Sequence, residues 1–207
     1  MPTNPVVREV QTPVGAARTV TEGGSGGATL VLGHGAGGGI EAPDLLAARD
    51  AALATGLRVV RVEQPWRVRG ARVAQAPARL DLAWTTVLAE LEGPLLVGGR
   101  SAGARVACRT AAQVSGLAVL ALAFPLHPAG RSGRSPLPEL QTPRVPRLVV
   151  QGGRDAFGVP EQEPGVQVHV VAGADHGFAV RRRDGRTAGE VLAEVRAAVA
   201  QWLAQQI

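Results

Sequence analysis

Seven short segments rich in valine and leucine, at 6–10, 28–32, 57–62, 94–97, 117–124, 147–150 and 166–171, each have the length and composition of a buried strand. Helical patterns separate the later ones. Leu80, Trp84, Val87, Leu88 and Leu91 follow i, i+3, i+4 spacing, and so do Val191, Leu192, Val195, Val199, Trp202 and Leu203. Strands that alternate with helices require crossover connections, which are right-handed and build a mainly parallel, twisted sheet with helices on both faces. The first segments depart from this rule. Residues 6–10 and 18–20 are joined through Thr12, Pro13 and Gly15, with no room for a helix, which predicts an antiparallel hairpin at the sheet edge. Residues 23–27 read as a short flexible connector, and no internal repeat is present. The stretch 127–146 holds five prolines and is expected to be a loop without regular structure. At 207 residues, the expectation is one domain, 1–207.

Composition narrows the partners. The longest apolar run, 117–124, is far below the ~20 residues of a spanning helix, and residues 1–10 lack an apolar signal core, so the chain is expected to be cytoplasmic with no membrane partner. A single cysteine, Cys108, rules out an internal disulfide framework and is expected to pack in a helix. The net charge of +5 does not signal nucleic-acid binding. All the basic residues are arginine, and the densest cluster, Arg181 to Arg183, lacks interleaved aromatic residues, so it reads as solvated surface.

Ligands of open parallel sheets bind beyond the carboxyl ends of the strands, so the polar residues that follow strands are the candidates for chemistry. After the strand ending at Val97 comes Gly98-Gly99-Arg100-Ser101-Ala102-Gly103 and then a helical run. Strand, sharp turn and helix around G-x-S-x-G are the context of a nucleophile elbow. Gly23-Gly24-Ser25-Gly26-Gly27 matches the same pattern, but a connector precedes it and a strand follows, so Ser25 is a chance match. A serine hydroxyl needs a base, and His176 lies between the last strand and the final helix, on the same rim. His169 alternates within a strand and reads as structural. His127, just beyond the strand ending at Phe124, and His34, at the head of the glycine loop, are candidate substrate contacts. The base needs a carboxylate to orient it, and Asp155 follows the strand before that of the histidine. Asp175, adjacent to His176, is a poorer orienter because neighbouring side chains diverge, and is expected to cap the loop. For the oxyanion, His34-Gly35-Ala36-Gly37-Gly38-Gly39 offers the amides of Ala36 or Gly37 as partners of the Ala102 amide. The absence of lysine argues against a phosphate loop, and neither a metal nor a cofactor enters the chemistry.

The motifs HGAGGG, GGRSAGAR, AFPLHPAGR, QGGRDAFG and ADHGF, in this order, resemble those of the α/β-hydrolase superfamily. Within it they look like the small dienelactone-hydrolase-like group that includes the testis-expressed protein 30 and KAT8 regulatory complex subunit 3 relatives. The resemblance implies an α/β-hydrolase fold over nearly the whole chain and the triad Ser101, Asp155 and His176. The departure from true dienelactone hydrolases is serine in place of their cysteine. The expected function is hydrolysis of a small-molecule carboxylic ester or thioester through an acyl-Ser101 intermediate. The rival is a binding or scaffold protein that keeps the triad without using it. The segment before Pro146 is too short and polar for an apolar cap, with Leu126, Leu137 and Leu140 as its large apolar residues beside Arg131, Arg134 and Arg144.

Overall fold

The computed structural model describes residues 4–24, 27–127 and 135–206. Ser25, Arg131 and Arg134 lie outside the described residues. Eight strands form one sheet: β1 (Val6–Thr12), β2 (Gly15–Glu22), β3 (Thr29–Gly33), β4 (Arg58–Glu63), β5 (Leu95–Arg100), β6 (Ala118–Leu122), β7 (Arg147–Gly152) and β8 (Val166–Val171), in the order β1-β2-β4-β3-β5-β6-β7-β8. The expected hairpin is present at the edge. β1 pairs antiparallel with β2, β2 pairs antiparallel with β4, and every pairing from β4 through β8 is parallel.

The helices are α1 (Pro43–Ala54), α2 (Pro65–Val68), α3 (Pro77–Leu88), α4 (Ala102–Thr110), α5 (Leu137–Gln141) and α6 (Ala188–Leu203). Proline opens α1, α2 and α3, where its missing N–H has no intrahelical partner to lose. A capping box starts α6: Thr187 Oγ1 accepts from the Glu190 amide, and the Glu190 carboxylate accepts from the Thr187 amide.

The strands alternate their burial between two cores, which is why they read as continuous apolar runs. Leu30, Leu32, Leu96, Leu120, Leu122, Leu148 and Val150 face α1 and α6. Val31, Val97, Val119, Ala121 and Val149 face the other way, against α3, α4 and the buried Trp66 and Trp84. Each fully buried leucine contributes about 1.5–3 kcal/mol relative to exposure, so this two-sided burial is the main source of cohesion. Cys108 lies in the second core, and burial pushes its thiol up to about 12, so it is no competing nucleophile.

Within 127–146 the expectation of no regular element fails, because α5 forms there. Its prolines, Pro136 and Pro138, stand at the helix start, where proline is tolerated. Leu140 is buried, and Glu139 binds two arginines of α4, so tertiary contacts secure a helix too short to stand alone. Leu126, Leu137 and Leu140 all pack into the second core, and no separate cap domain stands among the described residues. No helix among them is long and apolar enough to cross a membrane.

Candidate active site

Ser101 follows β5 directly, with φ 52° and ψ −110°, a backbone conformation that non-glycine residues seldom adopt. Its neighbours explain how that turn is tolerated. A Cβ on Gly99 would lie 2.4 Å from the Gly33 oxygen, and one on Gly103 would lie 2.3 Å from the same atom. Both glycines are therefore required for β5 and α4 to close against β3. The Ser101 amide is held by the Leu122 carbonyl at 2.9 Å, which fixes the turn on the next strand.

The structure brings together the three residues expected from separate strands. Ser101 Oγ lies 3.1 Å from His176 Nε2, and His176 Nδ1 lies 2.7 Å from Asp155 Oδ2. The carboxylate can only accept, so Nδ1 carries the proton and Nε2 is left to accept from the serine hydroxyl. Asp155 has a fully buried side chain and is firmly held. Its Oδ1 accepts from the Phe157 amide at 2.8 Å, and its Oδ2 accepts also from Gln151 Nε2 at 2.7 Å. Phe157 packs edge-on against the imidazole, with ring centroids 4.6 Å apart. Asp175 does what a cap does, accepting from the amides of Gly177 and Ala179. His169 pairs with Glu194 of α6 at 2.9 Å, away from the site.

Two supporting contacts have no signature in the sequence. Arg100 donates from Nη2 to the His176 carbonyl at 3.0 Å, and its Nε sits 2.8 Å from Asp44 Oδ2 at the start of α1. That second approach has the distance of an ion pair without the alignment of a hydrogen bond. Burial raises the Asp44 pKa, against the opposing pull of the Arg100 charge. Gln151 spends its amide donors on Asp155, Phe124 O and Gly158 O, which ties the carboxylate to two neighbouring loops.

An open cavity of about 990 Å³ lies over the serine, and Ala36, Gly37, Ala102, His127 and Phe157 line it together with Ser101 and His176. The three residues expected to supply oxyanion amides and the candidate contact His127 thus share one space. His34 does not. It is 3% exposed and sits behind the glycine loop, where Nε2 accepts from the Gln64 amide at 3.0 Å and Nδ1 faces the Gly35 carbonyl at 2.9 Å. Burial lowers its pKa, so it is a neutral strut of the loop, and the expectation of a substrate contact is corrected. It follows a strand as the other candidates do, but its ring turns into the core against Trp66.

Residues 26–204 match the family model for the alpha/beta hydrolase domain, and the chain belongs to that family. No curated protein sequence matches it. Among solved structures, it is similar over 98% of its length to XC6422 from Xanthomonas campestris, a member of the α/β serine hydrolases without a lid (19% identity, TM-score 0.74, 96% of that chain covered). An α/β serine hydrolase homologue from Coxiella burnetii matches over 97% of this chain and 98% of its own, with 20% identity and a TM-score of 0.75. Est1E from Butyrivibrio proteoclasticus matches over 97% and 98%, with 14% identity and a TM-score of 0.73. At these identities the likeness shows the fold.

Proposed function

We propose that the chain is a serine hydrolase that cleaves small carboxylic esters or thioesters through an acyl-Ser101 intermediate. The observation that carries this reading is the unbroken hydrogen-bonded relay from Ser101 through His176 to the buried Asp155. Ser101 Oγ attacks the acyl carbon while His176 Nε2 takes its proton, and Asp155 stabilises the imidazolium that forms. The amides of Ala36 or Gly37 and of Ala102 receive the tetrahedral oxyanion. Collapse expels the alcohol or thiol, which leaves with the proton from Nε2. Water then attacks the acyl-enzyme, again with His176 as base, and Ser101 departs with its proton restored. A serine hydrolase without a lid, an esterase and a thioesterase domain among the structural neighbours support this reading, as does the resemblance of the sequence motifs to the small dienelactone-hydrolase-like group.

A fluorophosphonate probe and a panel of p-nitrophenyl esters test it. The wild type and Ser25→Ala should label rapidly, and Ser101→Ala should neither label nor turn over esters, with a rate loss of several orders of magnitude. Equal labelling of Ser101→Ala would remove that serine from the role. Among the described residues no apolar roof covers the open cavity, and Leu126, Leu137 and Leu140 pack into the second core. Each buried methylene contributes ~0.8 kcal/mol only while it stays covered, so acetyl to butyryl esters should surpass octanoyl. A kcat/KM that climbs steadily through the long chains would overturn the small-acyl reading.

A further inference from the structure

Three arginines and three carboxylates line the cavity over Ser101: Arg67, Arg100 and Arg105, with Glu41, Asp44 and Glu63. Five of the six are already committed to ion pairs. Arg100 meets Asp44 at 2.8 Å, Arg105 meets Glu139 of α5 at 2.7 Å, Glu41 meets the buried Arg61 at 2.6 Å, and Glu63 meets Arg18 across the β2–β4 pairing at 3.3 Å. Among the described residues, the Arg67 guanidinium has neither an ion-pair nor a hydrogen-bond partner. The undescribed stretches contain no aspartate or glutamate, so no acidic side chain from them can complete the pair. Arg67 is half-buried, and of the six it is the one without an ion-pair partner among the described residues.

Arg67 is also rigidly mounted. It stands on the single turn of α2, whose Pro65 and Trp66 are buried and whose leading residue Gln64 is held by His34 Nε2 and the Leu80 carbonyl. A guanidinium presents a planar fork of donors that matches a carboxylate in bidentate fashion, and partial burial strengthens such a contact relative to open water. We propose that Arg67 is the anion-recognising group of this cavity, and that the esters or thioesters cleaved at Ser101 carry a second group that is a carboxylate. This rests on the hydrolase reading above and names the substrate class for it.

Two matched pairs of substrates test the proposal and locate the carboxylate. p-Nitrophenyl hemisuccinate against p-nitrophenyl butyrate places the charge in the acyl part; 4-acetoxybenzoate against its methyl ester places it in the leaving group. For at least one pair, Arg67→Gln should lower the anionic-to-neutral ratio of kcat/KM by roughly 10- to 100-fold, the range of a hydrogen bond to a charged group, and Arg67→Lys should lower it less. Ratios that Arg67→Gln leaves unchanged in both pairs would overturn it. Should the wild type turn over no ester and escape fluorophosphonate labelling, the hydrolase reading fails by itself. Calorimetric titration of glutarate into the wild type and Arg67→Gln then decides this one: a Kd at least tenfold weaker in the variant supports it, and equal affinity overturns it.

Discussion

The floor and the wall of the cavity are both built of glycine-rich loops, yet they are held in opposite ways. On the floor, a Cβ at Gly99, Gly103 or Gly152 would fall within 2.4 Å of a backbone oxygen, so the chain is locked by close backbone approach. On the wall, a Cβ at Gly37 or Gly39 would meet nothing within 4 Å. The same residue type thus marks a packed joint in one place and open space in the other. Ser101, Asp155 and His176 all rise from the floor, where positions are over-determined, and catalytic geometry needs that rigidity. Glu41 and Arg105 stand on the wall, where ion pairs set their position, and Arg67 stands there without one, held by the buried turn of α2.

The largest effect should come from the floor's buried hydrogen bonds. In Asp155→Asn, an amide nitrogen replaces an oxygen that accepts either from His176 Nδ1 and Gln151 or from the Phe157 amide. The imidazole then loses its tautomer, and kcat should fall by about 10³- to 10⁴-fold with the fold intact. Asp175→Asn keeps an oxygen that can accept from the Gly177 and Ala179 amides and should cost less than about tenfold. Steady-state kinetics with circular dichroism check the pair. A larger loss from Asp175→Asn, with both proteins folded, would reassign the carboxylate.

The next effect contrasts the two kinds of glycine directly. Gly103→Ala forces a methyl group onto the Gly33 carbonyl of the neighbouring strand, which neither partner can vacate, and should cost about 3 kcal/mol. For a chain of this size, that lowers Tm by roughly 6–12 °C. Gly37→Ala should stay within about 0.5 kcal/mol. Thermal melts of the two variants are sufficient, and similar melting points would dissolve the distinction between floor and wall.

What was legible in the sequence follows the same division. The floor is a matter of strand ends: a valine-rich segment, a following glycine turn and a polar residue, repeated at Ser101, Asp155 and His176, can be read in order without knowing any contact. The hairpin was legible because the segments 6–10 and 18–20 are joined through Thr12, Pro13 and Gly15 with no room for a helix. Long-range pairing was not. Asp44 and Arg100 meet 56 positions apart, and Gln151 reads as a strand residue until its partners are known. His34 was misplaced because following a strand does not fix where a side chain points, and Trp66 draws it inward. In α5 the prolines concealed a helix whose stabilising partners, Arg105 and Arg109, lie some thirty residues earlier.

The smallest effect concerns that helix, the clasp between the wall and α4. Glu139 accepts from Arg105 at 2.8 and 2.7 Å and from Arg109 at 2.8 Å, and Arg109 is also held by Asp81 at 2.6 and 2.8 Å. Partial burial pushes the Glu139 pKa up, but the hydrogen bonds and charges of the two arginines outweigh it and leave it below the ordinary 4.5. A carboxylate with a depressed folded pKa contributes stability that is fully present above its unfolded value and lost as pH falls through the folded one. Glu139→Gln should therefore destabilise at pH 7 by about 1 kcal/mol or less, since the group is partly solvated and Arg109 keeps Asp81. The deficit should begin to close as pH falls below about 4.5 and go on closing as pH passes through the lowered pKa of the folded protein. It should also shrink with added salt, unlike the Gly103→Ala deficit, because screening weakens charge pairs and leaves a steric clash untouched. Denaturant unfolding at pH 7 and pH 3, with and without 1 M salt, separates these outcomes: a Glu139→Gln deficit that persists unchanged at pH 3 would mean that shape, not charge, holds the wall to α4.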